Sequence, residues 1–150
     1  MKKSDRIRDF VSQLGAAPAE GLDARYAGYF ACFNAGRYYE AHDVLEDLWL
    51  SEPGADAAFF KGLIQFAGAF VHLQKQHARP DHPKDGRRLA PASRLFALAL
   101  RNLAPFEPEH LRLDVSAVVA LAAANAAELI ASDFTRNPWH PDHAPQMTLR

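Results

Sequence analysis

The chain has 150 residues, with 17 Lys and Arg against 18 Asp and Glu and a formal net charge of −1. Hydrophobic residues make up 49% and charged residues 23%, the balance of one folded globular domain and not of a disordered chain. The near-neutral sum argues against a dedicated nucleic-acid binder, and a single cysteine, Cys32, excludes an internal disulfide and a thiolate zinc site, which suits a reducing, cytoplasmic setting.

The first residues carry charges at Lys2, Lys3, Asp5, Arg6, Arg8 and Asp9, so no apolar core of a signal peptide forms there. Ser4 is a candidate N-cap for a short first helix with Ile7, Phe10, Val11 and Leu14 at helical spacing and Gly15 as its stop. Ala17–Gly21 reads as a turn. A second helix follows over about 22–33, with Tyr26, Tyr29, Phe30 and Phe33 on one stripe. Gly36, after Asn34 and Ala35, can take the left-handed conformation that ends a helix.

A third helix is expected over about 38–50, closed by Pro53-Gly54, and a long fourth over about 56–76. Residues 78–90, with Pro80, Pro83 and Gly86, read as a surface loop. Pro91 suits the first position of a fifth helix, and Asp114 suits the N-cap of an Ala-rich sixth that ends near Ala131. Alanines 122, 123, 124, 126 and 127 would allow that helix to approach its neighbours closely. The expected fold is all-α, a single compact bundle of five to six antiparallel helices over residues 1–134. An extended, Pro-rich C-terminal tail follows over 135–150, with Trp139 placed to pin it. No apolar run approaches the roughly 18 residues that cross a bilayer, so no membrane partner is expected. Gly36, Tyr38, Glu40 and Ala41 also fit the opening of the second helix of a tetratricopeptide hairpin.

The third helix carries two stripes. Ala41, Val44, Leu45 and Leu48 are apolar; Tyr39, His42, Asp43, Glu46 and Trp49 mix aromatics, an imidazole and carboxylates. The fourth helix is apolar nearly all round except for Lys61, Gln65, His72 and Gln76, with a gap at Gly68 and Ala69 where a ligand or the Trp49 indole could sit. If the two helices are neighbours, these polar groups converge. Asp43, Glu46, His42 and His72 are then candidate catalytic groups, as general base or ligand. Trp49, Lys61, Gln65 and Tyr39 are candidate binding residues, with Lys61 to hold a small anionic molecule. A divalent metal, if one binds, would fall to Asp43, Glu46 and His72, although the Glu-Ala-His order of residues 40–42 lacks the helical Glu-x-x-His signature and favours no cofactor. Asn125 could complete the cluster. The alternative is a helical-hairpin interaction module in which the cluster is a buried structural network, with a homo-oligomer open to it. The histidines at 77, 82, 140 and 143 read as solvated.

The segment Phe33-Asn34-x-Gly36-x-Tyr38-Tyr39-Glu40-Ala41-His42-Asp43-x-Leu45-Glu46-x-x-Trp49, followed by Lys61-Gly62-Leu63-Ile64-Gln65, Ala67, Ala69, Phe70 and His72, resembles the two motifs of the small helical family named domain of unknown function 309. The resemblance implies an all-helical prokaryotic protein with no established activity. Asp43 stands where that family more often has Glu, and residues 78–90 exceed its usual connection.

Overall fold

A computed structural model describes residues 2–14 and 21–150. The Gly15 stop and most of the Ala17–Gly21 turn lie outside the described residues. Six α-helices are present among them: α1 (Lys3–Gln13), α2 (Ala24–Asn34), α3 (Tyr38–Ser51), α4 (Ala57–Ala78), α5 (Leu89–Leu103) and α6 (Val115–Ala131). The protein is an all-α bundle in which consecutive helices from α2 to α6 pack pairwise, while α1 lies against α2 and α3.

Local chemistry fixes several of the boundaries. The Asp23 side chain accepts from the Arg25 amide and starts α2, two residues later than the sequence suggests. Gly36, at φ 74°, ends it: the Arg37 amide reaches back to the Cys32 carbonyl at 2.8 Å and the Gly36 amide to the Phe33 carbonyl at 3.0 Å, the paired closure that a left-handed residue permits. Asp114 caps α6 by accepting from the Ala117 amide. Ser4, by contrast, lies inside α1, whose N-cap Lys2 makes no side-chain hydrogen bond. Pro91 is the third residue of α5, still in the first turn where its missing N–H has no intrahelical partner to lose.

The core is aromatic. Phe33 stacks on Phe66 at 5.5 Å and meets Phe70 edge-on at 5.4 Å, and Phe70 meets Phe96 at 5.3 Å, so α2, α4 and α5 share one ring cluster. The buried Tyr29 hydroxyl donates to the Leu63 carbonyl at 2.7 Å. At Gly62, a Cβ would fall 2.7 Å from Leu103 Cγ, so glycine sets the close approach of α4 to α5. Of the five alanines expected to pack α6 closely, only Ala122 is buried; Ala126 is half-buried, and Ala123, Ala124 and Ala127 face solvent.

One feature departs from the expected loops, and the tail follows them. Glu109–His110 and Leu113–Asp114 form a two-stranded ribbon before α6. Its turn, Leu111-Arg112, has positive φ at both residues (45° and 64°). The Leu111 carbonyl accepts from the Tyr26 hydroxyl at 3.0 Å, and the Arg112 carbonyl from the Arg150 amide at 2.8 Å. Residues 135–150 run extended with a short 3-10 turn at Pro141–His143. Trp139 does pin them: it is buried, and its indole N–H donates to the Tyr38 hydroxyl at 3.0 Å.

Candidate functional site

α3 places Tyr39, His42, Asp43, Glu46 and Trp49 on one face, as the wheel requires. His42 Nδ1 lies 3.3 Å from Asp43 Oδ1 and its Nε2 3.8 Å from Glu46 Oε2. Tyr39, 60% exposed, lies nearly parallel to the His42 ring at 6.4 Å. The cation that meets the carboxylates is Lys3 of α1, at 3.8 Å from Asp43 and 3.6 Å from Glu46. Lys61 does not join them: its ammonium sits over the Trp49 ring, 4.3 Å from the centroid, a cation–π contact.

The remaining members of the expected cluster go elsewhere. Gln65 accepts from the Asn102 amide of α5 at 2.7 Å. His72 turns toward the 79–88 connection, where Arg88 donates to its Nδ1 at 3.1 Å. Arg88 also donates to Asp85 Oδ1 at 2.8 and 2.6 Å, and Gln76 accepts from the Arg88 amide while donating to the Gly86 carbonyl, both at 2.8 Å. Because a guanidinium only donates, His72 Nδ1 must accept. Burial, then the charges of Arg88, Lys75 and Arg94, lower the His72 pKa and keep the ring neutral. The hydrogen bonds from Arg88 hold the Asp85 carboxyl below its ordinary range. Asn125 donates to the Leu121 carbonyl one turn back, inside α6. The gap at Gly68 is closed by Leu95 of α5, whose Cδ1 lies 3.3 Å from where a Cβ would stand, and not by Trp49.

The eight candidates therefore form a split set: Tyr39, His42, Asp43 and Glu46 together on α3, with only Asp43 and Glu46 facing α1, Trp49 with Lys61, Gln65 with α5, and His72 with the connection. Asp43, Glu46 and His72 do not share a centre, and among the described residues no group of three or more His, Cys, Asp or Glu is arranged to hold a metal ion. No buried side-chain polar atom among them lacks a partner. Two clefts border the α3 stripe, one of about 370 Å³ that touches Asp43 and one of about 300 Å³ that touches Glu46, both along the seam with α1.

Other polar pairs escaped the sequence reading. Arg25 bridges Asp23 at 3.0 Å and Asp47 at 2.8 Å. His110 Nε2 meets Asp56 Oδ1 at 2.6 Å while its ring packs on Phe59 and Phe106, at 4.8 and 4.9 Å. Asp56 lines a cleft of about 300 Å³ floored by Tyr26 and Phe60. Burial pushes the Cys32 thiol up to about 11, which removes it as a nucleophile.

These contacts define a class: an all-helical bundle whose motif residues meet one another, or their neighbours, at helix–helix seams. The family model described as Domain of unknown function (DUF309) matches residues 26–80, from α2 through α4, and bears out over that segment the family assignment its motifs suggested. A search of curated proteins found no match, nor did a search of solved structures. Among the described residues, no helix is long and apolar enough to cross a membrane.

Proposed function

We propose that the chain works as a helical interaction module that pairs through the outer face of α6, with a second α6 as the partner. One observation carries this reading. Ala117, Ala120, Ala124, Ala127 and Ala131 are all exposed and fall at the alternating three- and four-residue steps of a coiled-coil seam. Ile130, 62% exposed, lies beside this seam, and Phe134, 40% exposed, follows just past the end of α6. Glu128 is the only charged residue in α6, whereas the solvent face of a surface helix ordinarily carries charge. Alanine seams let two helices approach closely, and a two-fold axis through the middle of such a face makes it self-complementary.

A small-molecule or hydrolytic role would ask for a cavity lined by the α3–α4 cluster. The two clefts at that stripe reach only Asp43 and Glu46 of its candidates, and Lys61, Gln65 and His72 already have partners. The hairpin-like motif at Gly36, Tyr38, Glu40 and Ala41 agrees with an interaction scaffold. Sedimentation equilibrium over a wide concentration range tests the reading: the wild type dimerises as concentration rises, and Ala124→Glu, at an exposed position, stays monomeric with its helicity intact. A strictly monomeric wild type whose solubility matches that of Ala124→Glu overturns it.

A further inference from the structure

The net charge of −1 averages over an uneven distribution. Between residues 72 and 94 stand Lys75, Arg79, Lys84, Arg87, Arg88 and Arg94, against only Asp81 and Asp85. Asp85 is already held by Arg88 at 2.6 Å and Arg79 at 3.3 Å. Lys75, Arg79, Lys84, Arg87 and Arg94 are exposed. Of these, only Arg79 takes an ion pair among the described residues.

The fold gathers these cations at one end of the bundle. The 3-10 turn Asp85–Arg87 packs back on α4, tied by Gln76. Arg88 donates to His72 of α4 at 3.1 Å and holds Asp85, which Arg79 also reaches at 3.3 Å, while Lys75 stands in the last turn of α4 and Arg94 near the start of α5. Three chain segments thus present one positive surface, and the bundle is electrically lopsided although it sums to nearly zero.

We infer that this end of the bundle, presenting Lys75, Arg79, Lys84, Arg87 and Arg94, docks the phosphodiester backbone of a nucleic acid without reading its sequence. The choice of partner follows from what the surface lacks. Of the exposed large apolar side chains, only Leu98, one turn past Arg94 on α5, borders these cations, and a single leucine is no apolar centre; Tyr39, Leu50, Ile130 and Phe134 lie outside 72–94 and outside α5. A stable protein interface needs a desolvated apolar centre, and a peripheral membrane contact needs an apolar wedge as well as cations. Phosphate neutralisation needs neither, because released counterions supply the driving force. Three of the five presented cations are arginine, whose planar fork matches phosphate oxygens.

The test is fluorescence anisotropy of a labelled mixed-sequence oligonucleotide, single-stranded and duplex, titrated with the full chain over a range of salt. Five phosphate contacts give a slope of log K on log salt of roughly −3.5 to −4.5. The double variant Arg87→Glu with Arg94→Glu should weaken binding by at least about tenfold and flatten that slope by about two. A control pair, Arg101→Glu with Arg112→Glu, changes the net charge equally at exposed positions, in the last turn of α5 and in the 111–112 turn, away from the 79–88 connection, and should leave binding near wild type. Circular dichroism confirms that both double variants are folded. Absence of binding at low salt, or equal loss in the two double variants, overturns the inference. So does binding to polyglutamate or to phosphatidylserine vesicles as tight as to the oligonucleotide. Because Ala124 sits in the middle of α6, away from residues 72–94, Ala124→Glu should bind the oligonucleotide whatever its oligomeric state.

Discussion

The two ends of the chain reverse the expectation that helices are firm and tails loose. α1 is a regular helix, yet Val11 is its only buried residue and its N-cap makes no side-chain bond. Its side chains reach the body through the two ion pairs of Lys3, through Phe10, which lies under the Arg37 guanidinium at 4.9 Å, and through Val11, which packs with Leu14 at Gly28 of α2. Two clefts run along its seam with α3. Residues 135–150 have almost no regular structure, but Trp139 is 7% exposed and Met147 6%. Asn34 brackets Met147, donating to its carbonyl and accepting from its amide, each at 2.7 Å. Asn137 donates to the Leu73 carbonyl at 2.8 Å. Helix formation says where a segment's own backbone hydrogen bonds go. How firmly the segment is held depends on buried side chains, and on body residues that satisfy an extended backbone.

Trp139→Ala puts the most weight on this contrast. It removes a buried indole and leaves the Tyr38 hydroxyl without its donor, so the loss of stability should be about 3–5 kcal/mol in denaturant unfolding. A loss below about 1 kcal/mol, the scale of an ordinary surface substitution, would mean that the tail is no better anchored than α1. Asn34→Ala comes next. It takes two short hydrogen bonds from Met147 at once and should cost about 2 kcal/mol. Hydrogen exchange should show the Met147 amide opening while the amides of α4 stay protected; an unchanged Met147 amide would show that the bracket contributes nothing.

Where chain punctuation was strong, the sequence was legible. α3 begins at Tyr38 as expected and runs one residue past the expected end, because Gly36 and Pro53-Gly54 leave little choice; Asp114 marks α6 for the same reason. The ribbon was not legible, since its turn is Leu111-Arg112 and not the Asn-Gly or Asp-Gly that positive φ normally selects. It is held from outside, by Tyr26 and by the Arg150 amide. The candidate site was half legible. A helical wheel shows which residues share a face, so the stripe Tyr39, His42, Asp43 and Glu46 came out together. It does not say which segment covers that face. Lys3, Asn102 and Arg88 arrive from α1, α5 and the 79–88 connection. The Asp56–His110 contact spans 54 positions, which no local spacing could carry.

The smallest expected effect is the most discriminating. If Glu46 belonged to a buried network, replacing it with Gln would cost about 3 kcal/mol, because its cation would be left uncompensated away from water. Its side chain is instead 31% exposed, and the partner Lys3 is 59% exposed at 3.6 Å. Pairs of that kind contribute about 0–1 kcal/mol and are screened by salt. Glu46→Gln should therefore lower stability by no more than about 0.5 kcal/mol at low salt and by nothing measurable at high salt. Lys3→Ala, which also gives up the 3.8 Å pair with Asp43, should cost no more than about 1 kcal/mol, and the double variant should cost less than the two single losses added, because they share the Lys3–Glu46 contact. Urea unfolding of the four proteins at two salt concentrations measures this. A loss near 3 kcal/mol that persists in high salt would place the α3 carboxylates in a water-excluded network beneath α1, and the first helix would then be held as tightly as the tail.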